Sequence, residues 1–188
     1  MTRTCLIRTA MAMLAASASA FATAALAQSG AAQKKPASPT EQAVLLGQFG
    51  DWGAYKAAPG GKKICFALSK PTSGTTNPAG RKRDPSYAFV STRPSEKVKN
   101  EVSVIVGYPQ KASYDATASI GSANFVMYTQ NDGAWVKNAA EEAHMIEAMR
   151  KGTDLVIKSE SALGTKTTDT YSLKGIAQAL EKVAEECK

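Results

Sequence analysis

Apolar and polar positions alternate with a period of two through much of the stretch from residue 62 to residue 172. In "KVKNEVSVIVGYP" Val98, Val102, Val104, Val106 and Tyr108 share one face, with Glu101, Ser103, Ile105 and Gly107 on the other. This pattern predicts a strand with one buried side. "SYAFVSTRP" repeats it with Tyr87 and Phe89, and "KKICFALSK" repeats it with Ile64, Phe66 and Leu68. The runs "NFVMYTQ", "DLVIKSES" and "TKTTDTYS" are short, β-branched or aromatic, and bounded by Gly, Asn or Asp. Strands of this length and spacing predict a sandwich or barrel of antiparallel strands.

Two segments change the period. "NAAEEAHMIEAMRKG" starts with Asn138 where an N-cap belongs, has Glu141 three residues on and ends at Gly152, which predicts a short helix. From Leu173 to Cys187, Leu173, Ile176, Ala177, Leu180, Val183, Ala184 and Cys187 form an unbroken apolar stripe at helical spacing. That stripe predicts a C-terminal amphipathic helix.

Before the first strand the composition is different. Residues 1–27 carry Arg3 and Arg8, an Ala-rich apolar stretch from Ala10 to Leu26, and Ala25-Leu26-Ala27 at the end. Their order predicts a cleavable secretory signal. Residues 28–40, "QSGAAQKKPASPT", are small, polar and twice interrupted by proline, and read as a tether that cannot bury enough apolar surface to offset its ordering entropy. Residues 41–188 are then expected to form a single domain. No later stretch approaches the roughly 20 apolar residues of a membrane-spanning helix. A second soft stretch, "KPTSGTTNPAGRKRDP" from Lys70 to Pro85, reads as a long loop.

The chain has 23 Lys plus Arg against 16 Asp plus Glu, a formal charge of +7. Removing Arg3 and Arg8 with the signal leaves +5 on residues 28–188. The basic residues are scattered among strands and loops, without the aromatic-interleaved stripe of a nucleic-acid module, and nucleic-acid binding is not expected.

Cleavage would also remove Cys5, leaving Cys65 and Cys187. An even count in an exported chain favours one internal bridge over two separate thiols or an intermolecular bridge. Cys187 lies on the stripe that must face the body, while Cys65 points to the opposite side of its strand from Ile64, Phe66 and Leu68. If the Ile/Phe/Leu face is the core between sheets, the helix covers the outer face or an edge of that strand, and Ala67 on the outer face leaves room for it.

The blocks "GDWGAYKA" at 50–57, "KICFAL" at 63–68, "YAFVSTRPSEKVKNEVSVIVGYP" at 87–109, "GAWVKNAAEEAHMIEAMRKG" at 133–152 and "GTKTTDTYSLKGIAQAL" at 164–180 resemble the invasion-associated locus B family of alphaproteobacterial envelope proteins. The resemblance runs from about Gly50 to Cys187. It implies a mainly β fold, an immunoglobulin-like antiparallel β-sandwich, and a periplasmic or outer-membrane-associated location. It also implies a link to host-cell interaction in some members, and no enzyme activity or cofactor. The expected partner is an envelope or host-surface protein, a glycan or an anionic lipid.

Candidate chemistry is sparse. His144 is the only histidine, and its helical neighbours Glu141, Glu147 and Lys151 make a polar face. A hydrolase or lyase would need Glu141 or Glu147 to converge with His144 in a concave pocket. His144 with Glu147 is a weak metal pair without a third ligand, and no metal is expected. No Gly-rich phosphate loop follows a strand and opens a helix. Arg81, Lys82 and Arg83, set in the long loop, are the candidate contact for an anionic lipid or glycan, because clustered Arg combines charge with bidentate geometry. Trp52 and Trp135 sit in strand-like segments, where a core or corner position is expected rather than a sugar-stacking one.

Overall fold

A computed structural model of the protein describes residues 43–188; the expected signal at 1–27 and tether at 28–40 lie outside the described residues. Eleven strands form one antiparallel sheet. In chain order they are β1 (Val44–Phe49), β2 (Trp52–Ala57), β3 (Ile64–Ser69), β4 (Ser73–Asn77), β5 (Tyr87–Arg93), β6 (Val98–Ile105), β7 (Ala116–Ile120), β8 (Ala123–Gln130), β9 (Gly133–Val136), β10 (Asp154–Glu160) and β11 (Lys166–Ser172). Two helices, α1 (Ala139–Lys151) and α2 (Ile176–Glu186), complete the described fold.

The spatial order is β1-β2-β3-β5-β6-β9-β8-β7-β10-β11-β4. All eleven strands are therefore linked through one hydrogen-bonded sheet, and the two separate sheets of an immunoglobulin-like sandwich are not shown. The sheet curls instead. The Trp52 indole N–H donates to the Ser172 carbonyl at 2.9 Å, and Tyr108 and Thr167 hydroxyls meet at 2.6 Å, so β11 lies against strands distant from it in sheet order. Trp52 is fully buried, as a core position requires.

Within the loop expected at 70–85, residues Ser73–Asn77 are strand β4, paired with β11 from Ser73↔Thr170 to Asn77↔Lys166. Its side chains are almost all exposed, so ladder hydrogen bonds rather than apolar burial hold it. Helix α1 begins where the Asn138 side chain accepts a hydrogen bond from the Glu141 N–H at 3.0 Å. Helix α2 begins three residues later than the apolar stripe. Gly175 adopts φ 93°, and a side chain there would run into the Phe49 carbonyl, so this residue ends the strand-to-helix turn and Leu173 stays outside the helix.

The core lies on the face of the sheet that carries small and β-branched residues. Cys65, Ala67, Ala88, Val90, Val102, Val104 and Ala134 are buried there against Met145, Met149, Ile176, Leu180 and Val183 of the helices. Each fully buried Ile, Leu or Val of α2 contributes about 1.5–3 kcal/mol. Tyr87, Phe89, Ile64 and Leu68, expected to face the core, are only half-buried and lie on the other face. Bulky rings between α2 and the sheet would hold the helix away, whereas Cys65 and Cys187 approach to 5.9 Å between Cα atoms.

Glu142 turns inward from α1, and its carboxylate accepts the Val102 N–H at 2.9 Å. Burial raises its pKa above the usual carboxylate value, partly opposed by that hydrogen bond. A carboxyl raised in the folded state favours folding while protonated, and this contribution is lost as pH rises through its folded pKa. Glu142→Gln keeps the acceptor and should flatten that fall in stability. Urea unfolding between about pH 4 and 7 measures it, and identical pH slopes for parent and variant would refute the assignment.

Candidate functional site

The basic cluster divides. Arg83 points inward and forms two hydrogen bonds to the carboxylate of Asp169, a fully buried residue of β11, and one to the Val106 carbonyl at 3.0 Å. Ser86 donates to the same carboxylate at 3.2 Å and shares a 2.5 Å hydrogen bond with the Tyr171 hydroxyl. Pairing with Asp169 raises the Arg83 pKa further above its ordinary value, and burial pushes the Tyr171 phenol well up. Arg83 thus fastens the β4–β5 connection to β11 and is not a free contact.

Arg81 and Lys82 remain exposed and form no ion pair among the described residues. They line a cleft of about 440 Å³ with Thr76, Tyr108, Ser161 and Thr165. Its far lip is the β10–β11 turn, whose tip residue Leu163 is 94% exposed. An apolar side chain held in solvent on the same cleft as two cations that form no ion pair among the described residues is an arrangement that residue spacing does not reveal, because Lys82 and Leu163 lie 81 positions apart in the chain.

A second concavity lies on the outer face of the sheet. Phe66, Tyr87, Phe89, Ile105 and Trp135 line a groove of about 430 Å³, with Ser91, Ser103, Arg93, Glu101 and Asp132 among its polar residues. Trp135 is half-buried in this groove rather than in the core.

His144 is exposed on α1 with its ring edge-on to Phe125, the centroids 5.4 Å apart. Glu141 and Glu147 are exposed on the same helix, and Glu147 faces Lys151 at 3.6 Å. The structure does not bring these three together in a concave pocket. Among the described residues no three His, Cys, Asp or Glu side chains converge as a metal centre would require. Cys65 and Cys187 form a disulfide that ties β3 to the end of α2 across 122 positions of the chain.

These features define a cystine-tethered, mainly β protein whose described surface includes a basic cleft and an aromatic-lined groove. The chain belongs to the invasion associated locus B (IalB) protein family, whose model matches residues 54–184. No curated protein and no solved structure gives a significant match.

Proposed function

We propose that this protein is a non-catalytic, extracytoplasmic binding protein, exported by its N-terminal segment to the periplasm or the outer membrane's inner surface, that docks on anionic lipid through the Arg81/Lys82 cleft. Family membership and the disulfide support an oxidising compartment. Among the described residues no helix is long and apolar enough to cross a membrane, and surface docking needs none.

The observation that carries this reading is the exposed Leu163 beside Arg81 and Lys82. Leu163 would enter the acyl boundary while the two cations meet headgroup phosphates, each basic residue contributing about 1 kcal/mol near an anionic surface. Co-sedimentation with phosphatidylglycerol vesicles tests it. Arg81→Ala with Lys82→Ala should weaken binding by about 30-fold, the effect of roughly 2 kcal/mol. Leu163→Ala should weaken it as well, and the electrostatic binding left in that variant should fall as salt rises. Arg83 is left intact because its removal would unfold the region rather than report on contact. Binding that is indifferent to these changes, or equal binding to phosphatidylcholine vesicles, would overturn the proposal.

A further inference from the structure

The outer groove is built from residues that the core does not use. In β5, alternation places Ala88 and Val90 in the core and Tyr87 and Phe89 outside. The register carries this across the sheet: Leu68 pairs with Phe89, Phe89 with Ser103, Ser103 with Trp135 and Trp135 with Tyr128. A single row crossing five strands, about 4.8 Å apart, thus presents three aromatic rings and a serine. In the adjoining row Tyr55 and Phe66 are near-parallel, with an interplanar angle of 13° and centroids 5.4 Å apart. Tyr128 and Trp135 are likewise near-parallel at 23° and 5.7 Å.

Glycines let two of these rings lean across the sheet. A Cβ on Gly53 would fall against the Tyr55 ring, and one on Gly133 would fall within the Trp135 ring. Tyr128 is 42% exposed, and Tyr87, Phe89 and Trp135 are half-buried, so part of each ring stays open to a stacking partner along the concave surface.

The polar groups decide what fits. The hydroxyls of Ser91 and Ser103 and the indole N–H of Trp135 make no hydrogen bonds among the described residues. An acyl chain or apolar segment laid there would bury them without partners, at about 1–3 kcal/mol for each group left unsatisfied. Arg93 is taken by Glu101, at 2.8 and 2.9 Å, and by Glu96 at 2.7 Å, so it offers no open fork to a phosphate. Asp132 is the remaining charge and forms no ion pair among the described residues. The groove therefore disfavours anions, in contrast to the Arg81/Lys82 cleft. Its volume of about 430 Å³ lies within the roughly 300–1,000 Å³ of small-ligand sites.

We propose that this groove binds a short, uncharged saccharide, with pyranose C–H faces stacked on Trp135 and Phe89 and sugar hydroxyls bonded to Ser91, Ser103 and Asp132. This site is independent of the lipid-docking cleft. Residues 28–188 are titrated with chitotriose, cellotriose and maltotriose while the two indole N–H resonances are followed by NMR. At least one sugar should shift the Trp135 resonance saturably, with half-saturation below about 10 mM. The Trp52 indole, buried and bonded to Ser172, should not move. Trp135→Ala and, separately, Phe89→Leu should each weaken binding by about tenfold. Binding should persist in high salt and in the Arg81→Ala, Lys82→Ala variant, conditions that weaken vesicle docking. No Trp135 shift with any of the three sugars would overturn the proposal, as would equal shifts of both indoles. A Trp135 shift produced by a proline-rich peptide or a dodecyl glycol, but not by the sugars, would overturn it in favour of an apolar occupant.

Discussion

Asp169→Ala should lower the stability of the folded chain by about 3–5 kcal/mol, the cost of leaving one member of a buried ion pair alone. Asp169 is fully buried, accepts two hydrogen bonds from Arg83 and one from Ser86, and through them ties β11 to the β4–β5 connection. Its loss leaves the Arg83 guanidinium, itself mostly covered, with only the Val106 carbonyl. Urea unfolding should show the loss, with a fall in Tm of about 10 °C or more for a domain of this size. A paired replacement, Arg83→Met with Asp169→Leu, should recover most of the stability because no charge is then stranded. A single variant within about 1 kcal/mol of the parent would show that the pair is solvated and contributes little.

The same pair shows what could be read from the sequence and what could not. Alternation locates β3, β5 and β6, because a half-buried strand writes its period into the chain, and short β-branched or aromatic runs bounded by Gly, Asn or Asp locate β8, β10 and β11. Strand β4 left no such mark, since its Gly- and Thr-rich segment exposes its side chains and is held by pairing with β11 alone. Alternation also says that two faces differ without saying which one meets the helices. Size decides that here: Cys65, Ala67 and Ala88 admit α2, and the aromatic residues are left to line the outer groove. Adjacency in the chain groups Arg83 with Arg81 and Lys82, whereas its partner Asp169 lies 86 positions away. One signal was available. Asp169 shares the Thr167 and Tyr171 face of its strand, and an acid on a buried face requires a cation or hydrogen-bond donors.

Replacing both Cys65 and Cys187 by Ala should cost about 4–5 kcal/mol in the chain-entropy account, because the bridge closes a loop of 122 positions. Most of that cost arises in the unfolded state. Helix α2 keeps its own apolar contacts through Ile176, Ala179, Leu180 and Val183, and Glu186 keeps Lys56 at 3.1 Å and Lys63 at 3.3 Å. Far-UV circular dichroism of the folded variant should therefore match the parent, while urea unfolding shows a lower midpoint and a steeper dependence on denaturant as the untethered chain exposes more surface. Acid should sharpen the difference. Hydrogen bonds from Lys56 and then Lys63 hold the Glu186 carboxyl below its ordinary pKa, so its contribution is present above the unfolded carboxylate range and lost as pH falls through the lower folded value. Without the disulfide, that ion cluster and the apolar face are the remaining ties at the end of α2, and hydrogen exchange of the helix should rise as the pH is lowered into and below the ordinary carboxylate range, after correction for intrinsic rates. A double variant as stable as the parent, with an unchanged denaturant slope, would show that the bridge does not constrain the unfolded chain.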